Sequence, residues 1–301
     1  MIKLYSLDNR LNERTVVTIG YFDGVHCGHK FLLNDLQKEG KENGLKTLVV
    51  TFSNHPQLLF QPDCGLRFLT LGNEKIRLLE NMGFDYCLVL PFTREFAYLT
   101  SKEFMRILHE SFGMEELIVG YDHHFGSDRD SSFTDYVEFG DKMGVNVVRC
   151  DAFSVSDMNV SSSKIRDFLI SGEIEQANML LGYNYTIIGR VVHGHKVGRK
   201  IGFPTANIEV SEGKLLPKNG VYAVTVEVEG QCHRGMMNIG YRPTLNNVGL
   251  SIEVYIDEFG GDIYDRMLVV EITKYIRDER KFNSLEALKK QLSLDLESIK
   301  E

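Results

Sequence analysis

Between Thr15 and Gly182, short apolar runs alternate with segments of helical periodicity, and this alternation limits the possible folds more than any other feature. The apolar runs have the length and composition of strands, and they read "TVVTIG", "KTLVVTF", "YCLVL", "ELIVG" and "VNVVRC". The segments between them have helical spacing and often end at glycine, as "HKFLLNDLQKEGKENG" does. Such alternation predicts an α/β domain in which a parallel sheet carries helices on both faces.

The pattern changes after Tyr183, where strand-like runs follow one another without a strong helical segment. These runs are "YTIIGRVVHG", "GVYAVTVEVEG", "CHRGMMNIG", "LSIEVYI" and "MLVVEITKYI", which predict an antiparallel barrel. The end of the chain is helical again, with one apolar stripe formed by Leu285, Leu288, Leu292, Leu296 and Ile299. We therefore expect a Rossmann-like domain over residues 1–182 and a barrel domain with a C-terminal helix over residues 183–301.

Composition excludes several classes of protein. The formal net charge of −8 argues against a general binder of nucleic acids or membrane surfaces. The first residues lack the apolar core of a signal peptide, and no apolar run approaches the length of a membrane span. Five scattered cysteines without a CxxC pair indicate a reducing compartment and no structural zinc. We expect a soluble cytoplasmic protein.

The stretch "GYFDGVHCGH", Gly20 to His29, lies between a predicted buried strand and a predicted helix. Open parallel sheets bind ligands beyond the carboxyl ends of their strands, where glycines allow close approach of phosphates to the backbone. Two imidazoles at such a point can donate hydrogen bonds to phosphoryl oxygens. The alternative is that His26 and His29 are surface or capping residues. A Walker lysine loop is excluded, because the chain has no GxxxxGK[ST] pattern.

This stretch resembles the GxFDGxHxGH signature of nucleotidyltransferases that transfer adenylyl groups, and "VSSSKIR", Val160 to Arg166, is similar to their second signature, ISSTxIR. Together with "GHKVGRKIGFPTANI", the motifs resemble the bacterial bifunctional riboflavin kinase/FAD synthetase family, in the family's order and over nearly the whole chain. The resemblance implies that ATP phosphorylates riboflavin to FMN and that a second ATP adenylylates FMN to FAD, releasing pyrophosphate. It implies Mg²⁺ bound with ATP and no nucleic-acid or membrane partner.

For the first domain, the resemblance implies attack of the FMN phosphate on the α-phosphorus of ATP. A phosphate is already an anionic nucleophile, so catalysis requires positioning and charge neutralisation rather than a strong base. His26 and His29 would serve that centre. Asp23 is expected to shape the loop, one serine is expected to cap a helix, and Asp122 is a candidate flavin or nucleotide ligand. The expected ATP and phosphate ligands are Gly20, Phe22, Asp23, Gly24, Gly28, Ser161, Ser162, Ser163 and Arg166.

In the second domain, Thr205 and Asn207 lie two residues apart, so an extended segment places both side chains on one face. A hydroxyl and an amide carbonyl are hard oxygen ligands that suit Mg²⁺ bound to ATP. The resemblance assigns both residues to the metal and the ATP phosphates. It assigns ATP binding also to Gly194, Lys196, Gly198, Gly202 and Pro204.

The strand pattern alone predicts that Glu253 faces solvent, because Ile252, Val254 and Ile256 form the opposite, apolar face. The family has its catalytic glutamate at this position, which implies that Glu253 accepts the proton of the ribityl 5′-hydroxyl. Arg277 and Glu279, in "YIRDERKF", either contact the substrate or pair with each other.

The chain departs from the family pattern at positions that border the expected flavin and adenine sites. Asn54 replaces a proline, His123 and His124 replace an aromatic residue and an arginine, and Ser131 stands where a glycine is common. We expect these departures to affect how well the flavin fits the adenylyltransferase site and how efficiently that site works, more than the type of reaction. One alternative is therefore a riboflavin kinase with a drifted first domain, and another is a flavin- or nucleotide-sensing protein without catalysis. An adenylyltransferase for pantetheine or nicotinamide nucleotides is a third, against which the barrel domain counts.

Overall fold

The computed structural model forms two compact units, Met1–Ser162 and Ser163–Glu301. The domain boundary expected at residue 182 stays a prediction, which truncation can test. Within the described part of the chain, no helix is both long and apolar enough to cross a lipid bilayer. The described residues are 1–128, 132–156, 158–194, 198, 201–243 and 248–299.

The first unit contains a six-stranded sheet in the order β1-β4-β3-β2-β5-β6, and every neighbouring pair of strands is parallel. The predicted parallel sheet is confirmed. The order reverses between β2 and β5, which makes the gap beyond their carboxyl ends the topological switch point of the sheet. The strands are β1 (Ile2–Leu4), β2 (Thr15–Ile19), β3 (Lys46–Phe52), β4 (Tyr86–Leu90), β5 (Met114–Val119) and β6 (Asn146–Arg149).

Helices cover both faces of this sheet, as predicted. Val16 on β2 packs in one buried cluster with Leu33 and Leu36, whereas its neighbour Val17 packs in another with Phe104 and Leu108. Alternate strand residues therefore face different helical layers. The helices are α1 (Cys27–Asn43), α2 (Pro56–Phe60), α3 (Gly72–Glu80), α4 (Arg94–Ala97), α5 (Ser101–Phe112) and α6 (Phe133–Met143), and a 3₁₀ turn, Asp23–Val25, precedes α1.

A short hairpin of β7 (Ser154–Val155) and β8 (Met158–Asn159) precedes α7 (Ser162–Ser171), which begins at the last residue of the first unit. Helix α8 (Ile174–Leu181) follows in the second unit and ends at Gly182, whose φ of 70° is left-handed.

The second unit is a closed, antiparallel barrel in the order β10-β13-β12-β11-β14-β9, with β9 paired back to β10. The predicted barrel is confirmed, and closure leaves no free strand edge. Along β13, Ile252, Val254 and Ile256 are buried, while Glu253 and Tyr255 point to the other face. The strands are β9 (Tyr185–Val192), β10 (Thr205–Val210), β11 (Gly220–Val228), β12 (Gln231–Pro243), β13 (Val248–Ile256) and β14 (Met267–Arg277).

The C-terminal helix α9 (Leu285–Ser298) packs against the outer surface of the barrel. Four residues of its predicted apolar stripe join a cluster with Ile201, Phe203, Met236 and Tyr255, and these four are Leu288, Leu292, Leu296 and Ile299. The fifth, Leu285, is 48% exposed in the first turn of the helix. The cluster begins at Leu288, one turn further along the helix.

Candidate active sites

Two segments singled out in the sequence lie at the switch point of the first unit. The residues Gly20–His29 follow β2, and Gly120–Gly126 follow β5, so both leave the sheet at its carboxyl edge. This is the position at which open α/β sheets bind ligands. The first segment then leads directly into the N-terminus of α1, which adds backbone N–H groups and a partial positive charge.

The loop before α1 has a constrained backbone. Phe22 has a left-handed conformation, with φ 56° and ψ 38°, and its ring is buried over Gly20. A Cβ atom at Gly20 would lie 2.6 Å from Cζ of Phe22, so a larger residue at this position would require the buried Phe22 ring to move. The Asp23 carboxylate accepts hydrogen bonds from the backbone N–H groups of Leu69 and Thr70, at 3.1 and 2.9 Å, and the Thr70 hydroxyl donates to it at 3.2 Å. These contacts support the expected shaping role of Asp23.

The two signature histidines form one stacked pair. Their ring centroids are 3.6 Å apart with an interplanar angle of 13°. Nδ1 of His26 accepts a hydrogen bond from the backbone N–H of His29 at 3.2 Å, so His26 is the N-cap of α1. In the neutral ring the proton of His26 is then on Nε2. The capping role, which the sequence left as an alternative, is therefore observed at His26, and a catalytic role for the same ring stays a prediction.

The environment of His29 favours a neutral ring. Its Nδ1 is buried and has no hydrogen-bond partner among the described residues. Desolvation lowers the pKa of His29 well below its usual value, and repulsion from His26, His123 and Lys75 lowers it further. The His29 imidazole can therefore donate a hydrogen bond without being charged in the free protein.

Lys75 on α3 is a site residue that sequence reasoning missed. It is 2% exposed, and Nζ donates hydrogen bonds to the backbone carbonyls of Tyr21 and Phe52, both at 2.8 Å. Nζ also lies 3.9 Å from the ring centroid of Tyr21. Burial lowers the pKa of Lys75 to about 8, against an opposing effect of Asp23. The sequence feature that could have identified Lys75 is its spacing: it lies four residues before the buried Leu79, and therefore on the inward face of α3.

The second signature meets the first within the first unit. The Ser162 hydroxyl donates a hydrogen bond to the backbone carbonyl of Asp23 at 3.0 Å, at the start of α7. Gly24 and Gly28 lie in the 3₁₀ turn and in the first turn of α1. Ser161 is exposed just before α7, whereas Ser163 and Arg166 belong to the second unit. Phosphate binding by the three serines and Arg166 stays a prediction.

A cavity of about 450 Å³ opens at the carboxyl edge of the first unit's sheet. Asn54 braces its rim: Nδ2 donates to the carbonyl of Phe92 at 2.9 Å, and Oδ1 accepts from the N–H of Phe92 at 2.8 Å. The residue that replaces the family's usual proline therefore ties the loops after β3 and β4 together. The cavity is lined by Ile19, Tyr21, Phe52, Pro56, Phe92, Phe96, Ala97, Leu99, Phe104, His123, His124, Phe125 and Gly126.

The other residues that depart from the family pattern, and the candidate ligand-binding residue Asp122, lie in the segment after β5. His123 and His124 both line the cavity, and His123 is the more buried of the two. Asp122 is exposed, and its role as a ligand stays a prediction. Ser131 lies outside the described residues.

In the second unit, the three predicted catalytic and metal-binding side chains come together on the outer face of the barrel. Thr205 and Asn207 on β10 pair in register with Tyr255 and Glu253 on β13. The Thr205 hydroxyl donates a hydrogen bond to Oε2 of Glu253 at 3.0 Å. Because Thr205 uses its proton in this bond, the lone pairs of its oxygen stay available to a cation. Asn238 on β12, which the sequence analysis did not select, is the opposite cross-strand neighbour of Glu253.

The glycine-rich segment packs closely on this group. A Cβ atom at Gly194 would lie 2.1 Å from Nδ2 of Asn207, so the backbone there lies directly on the amide. The carbonyl of Gly198 accepts a hydrogen bond from the N–H of Phe203 at 2.9 Å. Gly202 directly precedes this donor, and Pro204 and β10 follow it. Lys196 lies outside the described residues.

A cavity of about 320 Å³ lies beside Glu253, between the outer face of the barrel and α9. Glu253 therefore lines a cavity, whereas the strand pattern alone predicted a side chain in bulk solvent. Glu279 also lines it. The other lining residues are Gly198, Ile201, Phe203, Thr205, Val221, Met236, Met237, Asn238, Tyr255, Arg277, Arg280, Phe282, Leu288 and Leu292.

Arg277 lines the same cavity and anchors α9 to β14. Nε lies 3.0 Å from both carboxylate oxygens of Asp295, and Nη2 lies 2.7 Å from Oδ2. Asp295 is 2% exposed and also accepts from Nε2 of Gln291 at 2.8 Å. The pairing of Arg277 with Glu279, considered from the sequence, is replaced by this buried ion pair. Bidentate geometry of this kind fixes both partners.

The two sites define a two-domain transferase: a parallel α/β unit with a GxFDGxHxGH loop at its switch point, then a barrel with threonine, asparagine and glutamate on its outer face. The family model for FAD synthetase matches residues 8–164, and the model for riboflavin kinase matches residues 181–301. The chain belongs to the bifunctional riboflavin kinase/FMN adenylyltransferase family. Both regions are present, which favours the bifunctional interpretation over the kinase-only and binding-protein alternatives.

Individual relatives agree with this assignment. The bifunctional riboflavin kinase/FMN adenylyltransferase of Listeria monocytogenes is 38% identical over 283 residues, covering 93% of this chain and 90% of the relative. The Escherichia coli K12 protein of the same name is 38% identical over 294 residues, covering 97% and 94%. The crystal structure of a macrolide-efflux protein from Streptococcus pneumoniae is 31% identical and superimposes with a TM-score of 0.92, covering 100% of this chain and 99% of that chain.

Proposed function

We propose that this chain phosphorylates riboflavin to FMN in its second unit and adenylylates FMN to FAD in its first, consuming one ATP in each reaction. The observation that carries the proposal is the group of Thr205, Asn207 and Glu253, in which a 3.0 Å hydrogen bond joins Thr205 to Glu253 beside a cavity of about 320 Å³. Riboflavin, FMN and ATP are the substrates, and FAD, ADP and pyrophosphate are released. All five cysteines are free thiols, which supports the cytoplasm as the place of both reactions.

Mg²⁺ is the metal we propose for the kinase reaction, and the donor set fits it. Thr205 and Asn207 supply hard oxygen ligands from one face of β10, and the bond to Glu253 leaves the lone pairs of the Thr205 oxygen available. When bound, the ion would neutralise charge on the ATP phosphates. The remaining ligands of the ion would be ATP phosphate oxygens and water.

Glu253 is the proposed base of the kinase reaction. The ribityl 5′-hydroxyl oxygen would form a bond to the γ-phosphorus of ATP as the bond from that phosphorus to the β-phosphate oxygen breaks. The proton of the hydroxyl passes to the carboxylate, and ADP leaves. The hydrogen bond from Thr205 holds this carboxylate in one orientation, and α9 closes the cavity on the side of Leu288 and Leu292.

His26 and His29 are the proposed charge-stabilising groups of the adenylyltransferase reaction. An oxygen of the FMN phosphate would attack the α-phosphorus of ATP, and pyrophosphate would leave. Both imidazoles lie at the N-terminus of α1, and the stacking distance of 3.6 Å holds them as one unit. Neutral N–H donors fixed in advance at this position stabilise the negative charge that develops on the phosphoryl oxygens.

Replacing Glu253 by glutamine tests the kinase assignment. The Glu253→Gln side chain keeps an oxygen that can accept the hydrogen bond from Thr205 but cannot take up the proton. We expect riboflavin phosphorylation to fall by ~10²–10⁴-fold. FMN adenylylation and flavin binding should be retained. The measurement is chromatographic separation of riboflavin, FMN and FAD after incubation with ATP and Mg²⁺.

Glu227→Gln is the matched control, because Glu227 is an exposed glutamate on β11 that lines neither cavity. This variant should keep the parental rates of both reactions. A Glu253→Gln variant that phosphorylated riboflavin at the parental rate would reject Glu253 as the base.

A further inference from the structure

The loop between β2 and α1, residues 20–26, contains backbone conformations that residues other than glycine rarely adopt. Phe22 and Val25 have φ values of 56° and 36°, both in the left-handed region. For bulky and β-branched residues this conformation costs free energy, and it persists only where the surrounding structure fixes it. Because this loop leads into α1, the structure that holds it also determines where the rings of His26 and His29 lie.

Residues 69–75, which lead into α3 and form its first turn, hold this loop through hydrogen bonds. Their backbone N–H groups at positions 69 and 70 donate to the Asp23 carboxylate at 3.1 and 2.9 Å. The Thr70 hydroxyl accepts from the N–H of Gly24 at 2.9 Å. Lys75 belongs to the same segment and holds the beginning of the loop, so the loop is fixed along most of its length from one side.

Lys75 is the charged part of this support, and three acceptors surround its ammonium group. Nζ donates hydrogen bonds to the carbonyls of Tyr21 and Phe52, each at 2.8 Å, and lies 3.9 Å from the centroid of the Tyr21 ring. An ammonium has three N–H donors, which matches this number of acceptors. One side chain therefore joins the loop after β2 to the end of β3, and it contacts Tyr21 through both backbone and ring.

A charge at this position is unfavourable for the fold itself. Lys75 is 2% exposed, and desolvation lowers its pKa to about 8, although Asp23 and Cys87 on β4 act in the opposite direction. The charge of Lys75 also acts on His29 of α1, whose pKa it lowers. A buried group that opposes stability is more typical of a functional site than of a purely structural contact.

We propose that Lys75 is a positioning residue for adenylyl transfer: its ammonium holds the β2–α1 loop in the strained conformation that places His26 and His29 at the reacting phosphates. The inference rests on the proposed adenylyltransferase function and adds a residue outside both signature motifs to it. Lys75 acts through the loop rather than by contact with substrate, because it is buried and its donors are occupied. The protonated form is required, since a neutral amine has two N–H donors for three acceptors.

The test compares the full-length parent with Lys75→Met, which keeps the length of the side chain and removes its charge and donors. We expect kcat for FAD formation to fall on the order of 10- to 100-fold, because small displacements of catalytic groups slow a reaction strongly. The KM values for FMN and ATP should change little, and riboflavin phosphorylation should be unchanged. Lys142→Met, at an exposed lysine on α6, is the matched control and should keep the parental rates.

The pH dependence separates positioning from a purely structural role. In the parent, kcat for FAD formation should decline as the pH rises through about 8, where Lys75 loses its proton. A structural role predicts no decline, because above this pH the folded protein no longer carries a desolvated charge and its free energy of unfolding increases. Lys75→Met should lack the decline. Lys75→Arg, which stays charged, should recover part of the lost kcat, also without the decline.

The NMR signal of the His29 ring, assigned by its loss in His29→Gln, provides a readout that does not depend on turnover. In the parent it should shift with a midpoint near pH 8, and in Lys75→Met this shift should be absent. If the parent made no FAD, the proposed function would fail while this signal still tested the effect of Lys75 on His29. Parental kcat in Lys75→Met, an alkaline decline that persists in this variant, or a His29 signal that does not respond in the parent would each overturn the inference.

Discussion

Single residues in this molecule often have two roles, and His26 shows why sequence alone separates them poorly. The motif predicted its place before a helix, and the ring proposed to serve the adenylyltransferase reaction also caps α1 through Nδ1. The sequence shows only that Lys75 lies on the inward face of α3, and it does not show the partners of Lys75, which are backbone carbonyls after β2 and at the end of β3. A motif identifies residues from their spacing within a short segment. Contacts to backbone groups that are distant in the sequence depend on the folded structure and cannot be identified in this way.

Two substitutions at His26 can separate its roles. His26→Asn keeps a side-chain acceptor at the N-cap, so the melting temperature should change little. FAD formation from FMN should nevertheless fall on the order of 10²–10³-fold, as for loss of a donor at a developing anion. His26→Ala should lose the same activity and also roughly 0.5–2 kcal/mol of stability. Steady-state kinetics of both reactions and a thermal melt provide the data.

His29→Gln is the companion variant, since His29 is not the capping residue, and it should lower turnover more than ATP affinity. Riboflavin phosphorylation should be unchanged in all three variants. An Asn variant at position 26 with the parental rate of FAD formation would show that the ring serves only as a cap.

The buried histidines predict a pH dependence of stability. The pKa of His123 is about 4 in the folded protein and near 6.5 when the ring is in water. Between these values the unfolded chain binds a proton that the folded chain does not, so the free energy of unfolding decreases as the pH falls. The decrease is at most about 1.4 kcal/mol per pH unit for one group, and His29 acts in the same direction. His123→Phe should lose less stability between pH 6.5 and 5 than the parent does.

Urea unfolding followed by circular dichroism at the two pH values measures this difference, since the chain contains no tryptophan to report by fluorescence. Parallel losses in parent and variant would mean that His123 does not titrate as its burial implies.

At the scale of elements, hydrophobic periodicity and composition predicted the parallel strands β2 to β6, the long helices on the two faces of the sheet and most strands of the barrel. Several short elements were not predicted, and strands β1 and β10 are two examples. Strand β1 has only three residues and gains its register from β4, while β10 alternates polar side chains because its outer face carries Thr205 and Asn207. Neither segment contains an apolar run like those from which the other strands were predicted.

The contacts of helix α8 help to locate the start of the second domain. Its residues Ile174, Ala177, Leu180 and Leu181 are buried. Asn178 donates a hydrogen bond to the carbonyl of Ile272 at 2.8 Å and accepts one from the N–H of Tyr185 at 2.7 Å. A fragment that starts at Tyr183 removes these contacts and exposes the surface of β9 and β14 that α8 covers.

We therefore expect Tyr183–Glu301 to fold and to phosphorylate riboflavin, but to melt about 10 °C or more below a fragment that spans Ser163–Glu301. Four buried apolar side chains contribute several kcal/mol, which corresponds to such a shift in a small domain. Both fragments retain Glu253, Thr205 and Asn207, so their activities at low temperature should be similar. Equal melting temperatures would place α8 outside the folding unit, and a folded Tyr183–Glu301 without kinase activity would reject an independent kinase domain.

At the scale of the whole molecule, each unit has its own core and its own cavity, and the residues proposed for each reaction divide between them with few exceptions. FMN is the product of one site and the substrate of the other. If FMN exchanges through solution, a mixture of Glu253→Gln and His29→Gln proteins should form FAD from riboflavin, although neither variant does so efficiently alone. Time courses by chromatography should show a lag as FMN accumulates. A mixture that makes FMN but no FAD would show that the product must pass between sites of one molecule.

The alternation along β13 has a further consequence for how such a chain can change over time. Ile252, Val254 and Ile256 fill the barrel, whereas Glu253 and Tyr255 line the cavity outside it. Neighbouring positions on this strand are therefore under different constraints: one set packs the interior of the barrel and the other set lines the cavity. Inner positions can drift among apolar side chains of similar volume without reaching the reacting atoms. Outer positions can change the contacts to the substrate without altering the packing inside the barrel. Changes that affect stability and changes that affect catalysis can therefore occur independently, at alternating positions of the same strand.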